Sequence, residues 1–231
     1  MCLDCSTLLA MTSERPATGA TLLSTFRHAA RVHGMLGESE PLNLDTAFRA
    51  VRDMPWAEAS DLHPETAIGE WRGTGREKQL LLAAILDALG FETDLLAVTH
   101  EFEPESAPWL PPALMDEVRA APVPDVHLLL RVQTNRMLEE WMTMDATWPL
   151  ALGDLGLPVN DGVTPGRDHR LACDPVEVYH LPDVDEDEDE PDALYELIER
   201  ILRDHVGDAP GAWERRQRFM GALAEWLGAP R

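Results

Sequence analysis

The sequence predicts an α+β fold in which a buried central helix packs on an antiparallel sheet and additional helices follow at the C-terminal end. Three observations carry this. The run "QLLLAAILDAL", residues 79–89, is apolar on nearly every side, as only an internal helix can be. Strand-like runs follow it as a group rather than alternating with helices. Two amphipathic stripes of helical period then close the chain.

Residues 1–19 read as a flexible leader. From Thr21 to Leu36, Leu22, Phe26, Ala29 or Ala30, Val32 or His33, and Leu36 recur at helical spacing. Asn43 can cap a second helix, whose stripe of Leu44, Ala47, Phe48 and Val51 stops before Pro55. The segment "WAEASDLHPETAIGEWRGTG" reads as a connection into the central helix, expected from about Arg76 to Leu89 and closed by Gly90 at C′. Phe91 to Phe102 reads as a strand, and "EPESAPWLPPALMDEVRAAPVP" as a surface loop with one helical turn. "VHLLLRVQT" and "MLEEWMTMDATW" read as a hairpin turning at Asn135-Arg136. Beyond Trp148 the text is loop-like as far as an acidic linker over 181–191. One terminal helix starts at Asp192 and uses Leu194, Leu197, Ile198, Ile201 and Leu202. The other starts at Ala212 and uses Trp213, Phe219, Met220, Leu223, Trp226 and Leu227. The expected organisation is a leader, a domain over 20–180, the linker, and a helical segment over 192–231.

Nineteen basic against 42 acidic residues give a net charge of −23, which opposes binding to nucleic acid and to anionic membrane. No apolar run reaches the ~18 residues that span a bilayer, and the start lacks the basic region of a signal peptide. The expectation is a cytoplasmic protein. Cys2 and Cys5 make half of a zinc site at best, and the acidic run 183–190 lacks the spacing and glycine of a calcium loop. The sequence calls for no metal and no cofactor. Lys78 is expected to be a solvated first-turn side chain, and His63 and His100 surface or core-edge histidines.

Binary pattern decides the hairpin register. A three-residue loop ending at Met137 sets Val126, Leu128, Leu130 and Val132 against Ala146, Met144, Met142 and Glu140, an almost wholly apolar face. The other face then holds His127 directly across from Asp145, ~5 Å apart at Cβ. A carboxylate there fixes the imidazole tautomer.

A glycine-rich entry to a buried helix, a strand bearing His and a neighbouring strand bearing Asp form a thiol-enzyme layout, because helix N-termini stabilise thiolates. The segments "GTGREKQLLLAAILDALGFETDLL", "DVHLLLRVQTN" and "WMTMDATWPLALGDLGLPVND" resemble the transglutaminase-like superfamily, and "FRAVRDMPWAEASDLHPETAIGEWRGT" is similar to a bacterial branch of it. The likeness covers roughly residues 44–162. It implies a papain/transglutaminase-like fold and a Gly-x-Cys-x-x-Lys signature ahead of the apolar helix. Counting back three from Lys78 gives Gly75 where that family has its nucleophilic cysteine, while His127 and Asp145 fall on its other two catalytic positions. Thr74 is expected to point away from the nucleophile's direction, and no cysteine of the chain is placed by sequence to substitute. Thr74, Trp71 and Trp141 are the expected substrate-cleft residues. The expectation is a catalytically degenerate scaffold that retains its dyad and binds a peptide or amide-bearing partner. The alternatives are an amidase, protease or transamidase whose nucleophile was replaced at Gly75 or whose dyad activates water, and a structural subunit.

Overall fold

The computed structural model describes residues 19–135, 137–181 and 192–228, so Cys2, Cys5 and the acidic run 183–190 lie outside the described residues. Its order is α1 (Gly19–Val32), α2 (Leu44–Arg52), α3 (Pro64–Glu70), α4 (Gly75–Ala88), β1 (Thr93–Phe102), α5 (Pro112–Ala120), β2 (Val123–Asn135), β3 (Glu140–Met144), a 3-10 turn (Leu150–Leu155), β4 (Glu177–His180), α6 (Asp192–Val206) and α7 (Ala212–Gly228). The strands form one sheet in the order β3-β2-β1-β4, antiparallel at every pairing. The layout is α+β, as the pattern of the sequence predicts.

Helix α4 is the centre of the largest core. Its Leu81, Leu82, Ile85 and Leu86 meet Leu22 and Phe26 of α1, Ala47, Phe48 and Val51 of α2, and Leu130, Val132, Met142 and Met144 of the hairpin. Asn43 caps α2, accepting the Thr46 N–H at 3.0 Å. Gly90 follows α4 at φ +86°, the left-handed conformation that a helix-closing glycine supplies without a Cβ clash. The C-terminal helices are built into the same body. Ile198, Ile201 and Leu202 of α6 pack on Ala97, Val126 and Leu128, and Phe219, Leu223 and Leu227 of α7 pack on Phe102, Val123 and α5.

Three elements exceed what the sequence reading gave. The connection before α4 contains α3, with Pro64 in its first turn, and the Pro-rich excursion contains the nine-residue α5. Glu177–His180 adds β4 beside β1; all four residues are exposed, so no apolar alternation marks the strand.

The hairpin register also differs. Val132 faces Met142, where the three-residue loop would give Glu140, a shift of two residues. The pairing is irregular between Gln133 and Asn135, and Glu139 takes φ +49°, so the connection absorbs more chain than the short loop allows. Because the shift is even, each side chain keeps its face, and Met142 and Met144 still enter the core. Asp145 lies just past the end of β3 and meets His127 diagonally rather than directly across.

Candidate functional site

The first turn of α4 is fixed by its own capping. Thr74 is the extended N-cap, and the buried Glu77 accepts the Thr74 N–H at 2.8 Å and also the Thr74 hydroxyl. The Thr74 hydroxyl is thereby turned back onto its own helix. Gly75 follows with no positive φ, so its backbone does not demand glycine. What favours it is proximity. A Cβ built on Gly75 would lie 3.1 Å from both Nδ1 and Cε1 of His127 and 3.0 Å from the Thr147 hydroxyl. The imidazole edge and the hydroxyl stand where a side chain would begin, so no separate hollow remains beside the Cα.

His127 and Asp145 are buried, at 6% and 3% exposure, with Nε2 and Oδ2 3.1 Å apart. The Asp145 carboxylate also accepts the Thr147 N–H at 3.0 Å, the Ala172 N–H at 2.7 Å and the Gln79 side-chain amide at 3.3 Å. Burial pushes its pKa up, but the neighbouring His127 and these hydrogen bonds outweigh burial and hold it below the ordinary carboxylate range. An ionised carboxylate only accepts, so Nε2 carries a proton, and in the neutral form of the ring Nδ1, the atom facing Gly75, is the acceptor. The Asp145 backbone is pinned as well. Its N–H donates to His169 Nδ1 at 3.2 Å and its carbonyl accepts from Asn160 Nδ2 at 3.0 Å.

Lys78 departs from its expected solvated position. It is completely buried, and Nζ donates to the carbonyls of Arg52 at 2.8 Å and Thr147 at 3.2 Å. The amine thus ties α2 and α4 to the backbone beside the dyad. Desolvation brings its pKa down to about 7. The folded chain therefore holds this proton more weakly than the unfolded chain. Stability is expected to climb as pH rises from about 7 toward about 10, by up to about 1.4 kcal/mol per pH unit. Lys78→Met should flatten that rise, as urea unfolding at several pH values would read.

A cavity of about 370 Å³ opens from this point, lined among others by Gly75, His127, Trp56, Trp148, Trp213 and Met220. A second buried charge cluster forms part of its wall. Arg216 of α7 donates to Asp125 through Nε at 3.1 Å and through its terminal nitrogen, and His100 Nε2 lies 3.9 Å from the same carboxylate. Arg76, also on the wall, pairs with Glu199 of α6 at 3.1 Å. Burial brings the His100 pKa down to about 4, leaving a neutral imidazole near pH 7. Arg76, His100 and Arg216 are site residues that sequence reading missed. Asp125 was within reach of it, since Asp125 and His127 are two apart on one strand and so share a face.

Thr74 lines the cavity as expected, but Trp71 and Trp141 do not. Trp71 ends α3 at φ +49° and lies in the core, stacked on His33 at 4.7 Å. Trp141, on β3, packs beneath Arg131, 5.3 Å from the guanidinium carbon to the ring centre. Cys173 is the free cysteine among the described residues and does line the cavity. Burial, reinforced by Asp145 and Asp125, drives its thiol pKa up, the reverse of what a nucleophile needs. Among the described residues, no group of three or more His, Cys, Asp or Glu is arranged to hold a metal, and no helix is long and apolar enough to cross a membrane. No family model, no curated protein and no solved structure matches the chain.

Proposed function

We propose that the protein is a catalytically degenerate transglutaminase-like scaffold, of papain-like fold, whose dyad and cavity now bind a peptide or amide-bearing partner. One observation carries this reading. The base nitrogen of a carboxylate-oriented imidazole is aimed at the first residue of a buried helix, and that residue is a glycine with its Cβ position 3.1 Å from the ring. A nucleophile at this position would lie against His127 at the positive end of a helix dipole, the setting in which a thiol is activated. Glycine removes the group that forms the covalent bond and keeps everything that orients it. The closeness of the ring edge and of the Thr147 hydroxyl supports a site that has closed around glycine, since any Cβ would need its neighbours to yield by a few tenths of an ångström.

The observation favouring an enzyme instead is that His127 lines the cavity, where a base could take a proton from water. Incubation of the protein with N-acetylated, C-terminally amidated peptides separates the two. Degeneracy predicts bound peptide recovered intact, with neither cleavage nor ammonia release. Turnover that disappears in His127→Ala would overturn it.

A further inference from the structure

Asp145 lies one residue past the end of β3, and the last ladder partners there are Leu130 and Met144, so strand pairing does not fix its backbone. The segment 160–172 fixes it instead. This segment meets β3 along its outer edge, the free edge of the sheet. The His169 N–H donates to the Thr143 carbonyl at 2.9 Å, and the Asp168 carboxylate accepts the Thr143 N–H at 2.7 Å. The same segment then supplies the partners that the buried Asp145 backbone must find, His169 Nδ1 for its N–H and Asn160 Nδ2 for its carbonyl. It also brings the Ala172 N–H to Oδ2, the carboxylate oxygen that meets His127.

One side chain organises these contacts. Asn160 Nδ2 donates to the carbonyls of Asp145 at 3.0 Å and Arg170 at 2.9 Å, and Oδ1 accepts the Arg170 N–H at 2.9 Å. A primary amide has two N–H donors and a carbonyl acceptor, so two carbonyls and one N–H fix which way it faces. Its clamp on Arg170 also sets the place of the neighbouring His169 and of Ala172. Asn160 is held in turn from the core side. Its backbone carbonyl accepts from Arg52 of α2 at 2.7 Å, and Arg52, only 2% exposed, holds the Asp161 carbonyl as well. A chain of hydrogen bonds thus runs from α2 through Asn160 to the carboxylate that orients His127.

We propose that Asn160 is a positioning residue of the His127–Asp145 dyad, acting through the Asp145 backbone and through the segment that carries His169 and Ala172. This goes beyond the binding reading, because it concerns how the dyad is held and not what the cavity takes. Aspartate at position 160 would keep the size and the acceptor, but it would lose both donors and set a carboxylate oxygen against two carbonyls.

The test reads the His127 Nε2–H proton in the full chain by nitrogen-15 spectroscopy at pH 7, with the signal assigned by its loss in His127→Gln. Asn160→Asp should make that proton exchange with water roughly fivefold faster or more, as its acceptor carboxylate loses a fixed position. In a Gly75→Cys background the same change should slow thiol labelling about threefold or more. Asp45→Ala is the control. Asp45 accepts the Val163 N–H at 2.9 Å, so its loss frees the same segment from α2 at another point. Exchange of the His127 proton should stay within about twofold of the parent there. Unchanged exchange and labelling in a folded Asn160→Asp protein overturns the proposal, and so does an equal acceleration by Asp45→Ala. Asn160→Ser, which is smaller and uncharged, replaces the aspartate variant if that one does not fold. If neither folds, Asn160 is a structural residue and the positioning role falls.

Discussion

Asp125→Ala is expected to destabilise the protein by about 3–5 kcal/mol, the range for removing one partner of a buried ion pair. Asp125 is buried on β2, and its carboxylate takes two donors from Arg216, itself buried on α7. Burial pushes the Asp125 pKa up, and the charges of Arg216 and Arg76 with the Arg216 hydrogen bonds outweigh it, so the carboxylate stays ionised in the folded chain. Truncation strands the Arg216 guanidinium in the interior with no counter-charge. The cost comes chiefly from that stranded cation rather than from the lost attraction, so Asp125→Leu combined with Arg216→Met should recover most of it. Urea unfolding of the single and double variants measures both. A double variant as unstable as Asp125→Ala would show that the pair itself, and not the orphaned charge, holds α7 to the sheet.

Phe219→Ala is expected to cost a similar amount, about 3–5 kcal/mol, for a wholly buried ring. Phe219 has no exposed surface and lies 5.1 Å from Phe102, ring centre to ring centre, in the core shared by β1, β2, α5 and α7. Several residues of α7, Trp213, Arg216, Gln217 and Met220 among them, line the cavity. Loosening the helix should therefore open the cavity as well as lower stability. Hydrogen exchange should rise along α7 and around residues 123–127, while α1 and α2, which pack on the opposite core, should keep their protection. Exchange that rises uniformly across the chain would mean that the two cores unfold as one unit.

The sequence made the large features legible because they rest on strong local signals. The apolar run of α4, the Asn43 cap, Gly90 and the period of α6 and α7 each state their structure within a dozen residues. The convergence of Gly75, His127 and Asp145 was legible too, because face parity survives an even register error: the shift of two residues moved Val132 from Glu140 to Met142 without turning a side chain over. What stayed hidden depended on distant packing. Nothing local distinguishes Lys78, whose amine finds carbonyls from residues 52 and 147, from any solvated lysine in a first helical turn. Arg216 meets Asp125 across 91 residues of chain, and His100 comes to Asp125 only through the pairing of β1 with β2. Trp71 and Trp141, expected in the cleft, pack instead in the core and against Arg131. Every residue of β4 is exposed, and its pairing with β1 supplies what its composition does not. By contrast α3 and α5 both carried a proline in the first turn, a signal that was present and could have been used.

The central claim is that the first residue of α4 faces the base nitrogen of an oriented imidazole. Gly75→Cys tests it most directly, with iodoacetamide labelling at pH 7 quantified at position 75 by peptide mapping, in protein whose circular dichroism matches the parent. The helix N-terminus and His127 should both favour the thiolate, so labelling is expected at least tenfold faster than for an unstructured cysteine peptide. Combining Gly75→Cys with His127→Ala should slow it at least tenfold. A folded Gly75→Cys protein that labels no faster than the peptide, at a rate indifferent to residue 127, would contradict the account.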